Sequence, residues 1–359
     1  MLGAAIAALT SCTQSEVLEI AQQPERPIGF EPFVEKQTRA VNDITDGNTD
    51  FKEFYVFAAK GIKNGNAFTE EKVTDGSSEK HYLDHQKVTG GRGNWTYEPH
   101  VAWIASKTFR FAAYADGIGN GTGTAKLNNV EFVPTDAVAI DGTTTDKWGL
   151  NINDYTASDK DLIAAVPEEK VVGAEISTAP PSVGLTFKHL LAKVIIQLRY
   201  TQNAANNNLE LEVVPFSFKA YKKGDCEVRY TGVENNTVIG ATWTPKGTTE
   251  AEYAFFPKVN NKNQTWPSGN IQSEAYVIPQ SNAEIEIGEI IIYTKNSAGE
   301  TTSTTKYSNV SLNIPDHTEW KPGYVYRYIA DITPGEHYIH FTTSVTSWID
   351  EDSRNQTIQ

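Results

Sequence analysis

Residues 324–332 read YVYRYIADI, and this stretch carries the pattern that decides the fold. Aromatic and aliphatic side chains occupy alternate positions from Tyr324 to Ile332, while Arg327 and Asp331 lie between them. A period of two places the alternate residues on one face of an extended chain. The stretch therefore predicts a β-strand with one buried face and one solvated face.

The same period recurs on both sides of this stretch. Residues 194–200 (VIIQLRY) and 339–345 (IHFTTSV) alternate in the same way. Strands are also predicted at 54–58, 109–114, 162–166, 209–218, 253–256, 275–278 and 285–293. Clusters of Gly, Asn, Pro and Thr with the chemistry of turns separate them. The one helix that the sequence suggests is short, at residues 189–192.

Many strands joined by turns predict an all-β fold of sandwiches or barrels. A chain of 359 residues is long enough for about two domains. The least strand-like central stretch, 168–181, ends in two prolines and marks the boundary. We therefore expect two β-sandwich domains, at 40–180 and 181–359, preceded by a signal at 1–11 and an N-terminal propeptide or strand at 12–39.

Net charge and cysteine usage restrict the function. The net charge of -14 and a sequence pI near 5.0 disfavour a nucleic-acid surface, which needs clusters of Lys and Arg. Of the two cysteines, Cys226 lies in a strand-like alternation and is interpreted as a small core residue. If Cys12 carries lipid, no intramolecular disulfide is possible.

The N-terminus reads MLGAAIAALTSC, an apolar run that ends in small residues before Cys12. This arrangement resembles the bacterial lipobox, in which Cys12 becomes the acylated first residue of the mature chain. The run carries no Lys or Arg and is shorter than a usual signal core, as expected if the signal begins upstream of Met1. The alternative is that residues 1–11 are a tail and Cys12 is an incidental thiol.

No motif with catalytic chemistry stands out. The Gly-x-Ser-x-Gly elbow and the phosphate-binding loop are absent from the sequence. His81 and His85 have ligand spacing but no helical pattern, and His337 and His340 fall on opposite faces of a predicted strand. The acidic stretch 43–50 lacks the spacing of an EF-hand loop. We expect no catalytic residues, no metal site and no cofactor.

Three aromatic residues, Trp95, Tyr97 and Trp103, lie close together in the sequence GNWTYEPHVAW at 93–103. Exposed aromatic rings serve as platforms for sugars, so the cluster is a possible aromatic binding face. Aromatic residues also pack between sheets. Both interpretations, a glycan-binding face and core packing, remain open from the sequence.

Taken in order, the segments resemble the fimbrillin family of Bacteroidales, the shaft, anchor and tip proteins of type V pili. The matching segments are the lipobox ending at Cys12, IGF at 28–30, TRA at 38–40, FRFAAY at 109–114, DLIAA at 161–165, LTFKHLLAKV at 185–194 and VTSW at 345–348.

The resemblance implies two tandem transthyretin-like β-sandwich domains and export as a lipid-anchored outer-membrane precursor. It also implies cleavage between Arg39 and Ala40 by an arginine-specific protease, followed by incorporation into a cell-surface fimbria that supports adhesion. The implied partners are other fimbrial subunits. The alternative function is a glycan-binding outer-membrane surface lipoprotein.

Strand replacement would give such a subunit its physical mechanism. A domain that lacks one strand exposes an apolar groove and unpaired backbone amides, which a neighbour's strand can satisfy. We expect the strand that fills this groove in the precursor to carry Ile28, Phe30, Phe33 and Val34. The donor is expected near the C-terminus, at 338–348, because the residues after Trp348 are too polar; otherwise the subunit accepts a strand without giving one.

Overall fold

The computed structural model describes residues 26–34, 51–91, 94–118, 125–140, 143–200, 208–214, 217–234, 237–248, 271–281, 284–311, 319–332 and 340–347. These residues form strands almost throughout, with one short 3-10 helix at Ile176–Thr178. In chain order the strands are β1 (Phe30–Val34), β2 (Glu53–Asn64), β3 (Ala67–Glu70), β4 (Val73–Asp75), β5 (Ser78–Lys80), β6 (Leu83–Gly91), β7 (Asn94–Thr96), β8 (Thr108–Ile118), β9 (Val130–Ile140), β10 (Thr143–Thr156), β11 (Asp161–Ala165), β12 (Lys170–Val171), β13 (Val183–His189), β14 (Ala192–Tyr200), β15 (Asn208–Val214), β16 (Ser217–Lys219), β17 (Lys223–Glu234), β18 (Thr237–Lys246), β19 (Ile271–Val277), β20 (Glu284–Lys295), β21 (Thr301–Ser311), β22 (Tyr324–Ile332) and β23 (His340–Ser347).

The largest sheet, here called the main sheet, has the strand order β1-β13-β11-β8-β2-β6-β7, with β12 beside β8 and β3 beside β2. The β1–β13 pair is parallel, whereas the other pairs of this sheet are antiparallel. A second sheet has the order β18-β17-β10-β9. The N-terminal strand therefore lies at one end of the main sheet.

Both faces of the main sheet are buried, and so its central strands read as continuous apolar runs. In β2, Phe54 and Val56 belong to one core, while Tyr55 and Phe57 belong to the other. The second of these cores continues into the second sheet through residues such as Leu150. The first core contains Ile28 and Phe30 from the N-terminal part of the chain, which places that part directly against the sheet.

The C-terminal half contributes two further sheets. One has the order β19-β14-β22-β23, with β14 and β22 parallel, and the other is built on β20, which pairs with β15, β16 and β21. In β22, Tyr326, Tyr328 and Ala330 are buried in the core shared with the main sheet. Arg327 and Asp331 alternate with them, as the period-two pattern predicts, but at the start of the strand Tyr324 is exposed and Val325 is buried, the reverse of the predicted alternation.

The prediction of an all-β fold is confirmed, whereas the short helix expected at 189–192 is wrong. Those residues instead carry the chain from the end of β13 into β14. Leu190 and Leu191 are fully buried there, and their backbone groups bond to Leu162 and Gly323. The apolar pair therefore reflects a buried crossing between two sheets.

Strand pairing crosses the expected domain boundary at residue 180. β13 follows the boundary but joins the main sheet, and β17 pairs with β10 of the preceding half. The Pro-rich stretch before residue 181 holds the 3-10 helix and contributes the buried side chain of Ala179 to the first core. The domain bounds stay a prediction.

Candidate strand-exchange site

Residues 26–34, here called the N-terminal segment, form the outer strand of the main sheet and the approach to it. From Phe30 to Val34 the backbone pairs in parallel with β13, and Phe30 is opposite Val183. The Val183 N–H donates to the Gly29 carbonyl at 2.8 Å. Alternation along a parallel ladder then directs the amides of Glu31 and Phe33 toward β13. The segment is thus held by sheet hydrogen bonds on its β13 side.

A second backbone stretch, residues 97–103, here called the clamp segment, holds the first part of the N-terminal segment from another side. The Ile28 N–H donates to the Val101 carbonyl at 2.9 Å, and the Trp103 N–H donates to the Arg26 carbonyl at 2.9 Å. Pro27 lies opposite Ala102 in this antiparallel bridge. Residues 26–28 therefore have their own short ladder, separate from β13.

The Tyr97 hydroxyl lies where these two chain segments meet. It donates to the Ile28 carbonyl at 3.0 Å and is 3.4 Å from the Val101 nitrogen. Burial raises the pKa of Tyr97, so the hydroxyl keeps its proton and acts as a donor. The Arg26 guanidinium adds a bond to the Ser177 carbonyl at 2.9 Å.

Two side chains of the N-terminal segment fill the first core. Ile28 is 1% exposed and Phe30 is 5% exposed. The Phe30 ring lies 5.4 Å from the ring of Tyr97 and 6.1 Å from that of Phe111, measured between centroids. Its edge-on contact with Phe54 has a centroid distance of 6.2 Å. Tyr97, Phe111 and Phe54 are here called the aromatic pocket of Phe30.

The structure brings together all four residues expected in the exchanged strand on one backbone segment. Ile28 and Phe30 have defined positions in the core, and Phe33 and Val34 pair with Thr186 and Phe187 of β13. The side-chain surroundings of Phe33 and Val34 lie outside what the structure describes. Cys12, Arg39 and Ala40, together with the acidic stretch 43–50, also lie outside the described residues.

The aromatic cluster at 93–103 packs inward, under the N-terminal segment. Tyr97 and Trp103 are 5% and 3% exposed, and Trp95 is partly buried against Phe51 and Phe54. Trp103 packs edge-on against Phe109 at 4.9 Å. Tyr97 and Trp103 therefore present no exposed ring face to a sugar, and core packing accounts for their positions.

His81, His85 and Cys226, which the sequence also singled out, pack against other residues of the fold. The His81 Nδ1 atom lies 2.7 Å from a Glu70 carboxylate oxygen, and His85 packs among aromatic rings including Phe57. No cluster of three or more His, Cys, Asp or Glu suited to a metal occurs within the described part of the chain. Cys226 is fully buried, and burial raises the pKa of its thiol.

Two buried ionisable side chains of the main sheet, Arg110 and Asp161, have polar partners. The Arg110 guanidinium, 1% exposed, contacts Glu169 at 3.1 Å and lies over the rings of Phe68 and Trp148. The Asp161 carboxylate contacts His189 at 2.5 Å. Asp161 and His189 belong to the paired strands β11 and β13 of the main sheet, and the Arg110 side chain joins β8 to the residue before β12.

The expected donor segment, 338–348, includes β23. This strand pairs in antiparallel register with β22 along its whole length and is the last strand of its sheet.

No described helix has the length and hydropathy needed to cross a membrane.

Two features of the site had no signal in the sequence. The clamp segment contacts residues 26–28 only through the fold, and its motif at 93–103 indicated aromatic packing but no partner. The position of β13 as the neighbour of β1 is likewise a tertiary fact, although LTFKHLLAKV at 185–194 includes most of β13.

Comparison with known proteins places the chain in a structural context. A family model described as fimbrillin-like matches residues 38–348. No curated protein sequence matches the chain significantly.

Solved structures with this architecture include a fimbrial protein from Bacteroides vulgatus, with 14% identity and a TM-score of 0.51. That match covers 90% of this chain and 100% of the other, and it supports a shared fold. The fimbrial anchor protein Mfa2 from Porphyromonas gingivalis matches over 90% of this chain and 98% of its own, with 11% identity and a TM-score of 0.32. The second likeness is too low to add to the fold assignment.

Proposed function

Because this chain belongs to the fimbrillin-like family, we propose that it is a non-enzymatic structural subunit of a cell-surface fimbria, assembled with other subunits by protease-triggered strand exchange. In this proposal the precursor is exported with a signal at 1–11 and anchored to the outer membrane through lipid on Cys12. An arginine-specific protease then cuts after Arg39, and the freed subunit joins a fibre that supports adhesion.

One observation carries the proposal: a terminal strand is inserted as the outer member of the main sheet. Ile28 and Phe30 fill the first core, while the backbone from Phe30 to Val34 pairs with β13. Removing this strand would leave the outer edge of β13 unpaired and the aromatic pocket open. Both are unfavourable in water, and a strand from another subunit satisfies both.

The location of Arg39 suits this role. The residue follows the end of β1 at Val34 and precedes β2, which begins at Glu53. A cut there separates the N-terminal segment covalently from the rest of the chain while leaving every described strand intact. The lipid on Cys12 would remain with the N-terminal fragment.

The donor strand proposed here is the segment 338–348. Residues 28–34 read IGFEPFV, and residues 339–345 read IHFTTSV, so Ile, Phe and Val recur at the same spacing. A strand with this spacing presents Ile339 and Phe341 where Ile28 and Phe30 lie in the precursor. Residues 340–347 of this segment pair with β22, and they would have to leave that strand for the segment to act as a donor.

The test treats the purified precursor with an arginine-specific protease. We expect a cut after Arg39, followed by a ladder of oligomers that resists sodium dodecyl sulfate. The matched control is Arg39→Ala, which should remain uncut at this position and monomeric. A wild-type chain that is cut after Arg39 and stays monomeric, with or without binding a polysaccharide, would contradict the proposal.

A further inference from the structure

The N-terminal segment is held unequally along its length. Residues 26–28 are bonded to the clamp segment through the Ile28 and Trp103 amides, and the Tyr97 hydroxyl adds a third bond to the Ile28 carbonyl. Among the described residues, β1 from Glu31 to Val34 pairs with β13 alone. Ile28 is thus bonded through both its N–H and its carbonyl, and Arg26 through its carbonyl and its guanidinium, whereas β1 has one described strand partner.

The large buried side chains described in the segment are those of Ile28 and Phe30, and the smaller Pro32 is buried as well. The ring of Phe30 has three aromatic neighbours. Glu31, the next residue, is exposed. The most strongly packed side chain described in β1 is therefore its first, next to the clamp segment.

We propose that the clamp segment makes strand exchange directional, so that the N-terminal segment opens from Val34 toward the clamped residues 26–28, which are released last. This inference rests on the proposed function. Local opening begins where backbone groups have the fewest partners. An incoming strand would then pair first with the Phe187 end of β13 and advance toward Val183, displacing the clamped residues in the final step.

Tyr97 is the residue of the clamp segment that contacts both Phe30 and Ile28. Its ring supports Phe30, and its hydroxyl bonds to a carbonyl of the departing strand. Tyr97→Phe retains the ring and removes the hydroxyl. The loss of one buried hydrogen bond should loosen the last-held residues without altering the pairing with β13.

The experiment measures amide hydrogen exchange at single residues in a chain nicked by a sequence-specific protease at a site engineered in place of residues 36–42. We expect the Ile28 amide to exchange at least about tenfold more slowly than those of Glu31 and Phe33, because the Ile28 carbonyl is also bonded, to the Tyr97 hydroxyl, and the Ile28 side chain is buried. Equal rates, or earlier opening at Ile28, would overturn the inference.

The same nicked chain distinguishes the inference from the proposed function. Tyr97→Phe should raise the Ile28 exchange rate by about fivefold, in line with one lost hydrogen bond. The matched control is Tyr114→Phe, which removes a buried hydroxyl on the other face of the main sheet, near Leu127. An unchanged Ile28 rate in Tyr97→Phe contradicts the clamp.

Release is measured in parallel, with a labelled synthetic peptide of residues 26–34 added in excess. Failure of the nicked fragment to leave would contradict strand exchange, while the order of amide opening would still decide the clamp. Release with the expected order supports both.

Discussion

Among the side chains of β1 that the structure describes, Phe30 has the aromatic contacts that anchor the strand in the first core. Its ring contacts three aromatic rings, including Phe54 and Phe111, which belong to the central strands β2 and β8. Phe30→Ala should lower the free energy of unfolding by about 3–5 kcal/mol, the usual range for removing a buried Phe ring. Urea denaturation of the precursor measures the change.

A matched control for this substitution is Ile62→Ala. Ile62 is 46% exposed near the end of β2, so its truncation should change stability by less than about 1 kcal/mol. Equal losses for the two variants would show that Phe30 does not anchor the strand.

Cys226 illustrates how burial decides the chemistry of a residue. Its side chain is fully buried, and burial raises the pKa of the thiol, which removes the reactive thiolate. In a Cys12→Ser chain we expect no reaction with a thiol reagent in the folded state and one thiol per chain after denaturation. Rapid reaction of the folded chain would contradict the placement of Cys226 in the core.

Asp116 should give the stability a specific pH dependence. Burial raises the pKa of this carboxyl, in spite of a hydrogen bond from the Tyr155 hydroxyl at 3.0 Å. The folded state therefore binds a proton more readily than the unfolded state. The protonated Asp116 carboxyl therefore stabilises the folded state at low pH. This contribution to the free energy of unfolding is lost as the pH rises from the ordinary pKa of Asp through the raised pKa of Asp116.

Asp116→Asn should remove this part of the pH dependence, as measured by unfolding at a series of pH values. Asp75→Asn is an instructive control, because the Lys80 ammonium holds the pKa of the exposed Asp75 below its usual value. That contribution has the opposite sign and is lost as the pH falls. A wild-type profile that Asp116→Asn leaves unchanged would contradict the assignment.

At the scale of the element, the proposed exchange requires β1 to be a separable strand. A chain of residues 40–359 should be less stable than the full precursor and should bind a synthetic peptide of residues 26–34. Since a ligand that binds only the folded state stabilises it, saturating peptide should raise the unfolding temperature. A peptide carrying Phe30→Ala should do so much less. If chain 40–359 is as stable without peptide as the full precursor, β1 does not contribute as described.

The sequence patterns predicted where the strands lie better than they predicted which segments pack together. The alternation at 324–332 predicted the bounds of β22, because one face of that strand is apolar and the other carries Arg327 and Asp331. At 189–192 an apolar pair was interpreted as a helix, although both leucines lie in a buried crossing between sheets. The local pattern does not show whether an apolar run belongs to a regular element or to a connection that a neighbouring sheet buries.

The candidate strand-exchange site was predictable only in part. The resemblance to fimbrillins led us to expect Ile28 and Phe30 in an inserted segment, and both side chains are buried. The clamp at Tyr97 was not predictable, because its bond to the Ile28 carbonyl joins residues 69 positions apart. Such a contact is set by the fold as a whole.

At the scale of the whole molecule, the sheets combine strands from distant parts of the chain. The main sheet contains both β1 and β13, and the second sheet joins β10 to β17. In the proposed pathway, the groove and the inserted strand would therefore form together when the chain folds, before any cut after Arg39. A precursor of this kind would be protected from assembly for as long as the N-terminal segment stays in place.

A reversible covalent lock on the N-terminal segment tests this central claim most directly. A Cβ atom added at Gly29 would lie 3.7 Å from the Cβ atom of Ser182, which is the spacing of a disulfide. The measurement is oligomer formation, after cleavage at Arg39, by a Gly29→Cys, Ser182→Cys chain that also carries Cys12→Ser. Strand exchange predicts a monomer while the disulfide is oxidised and an oligomer ladder after reduction, as for the unlocked chain. Equal assembly of the oxidised and reduced forms would contradict it.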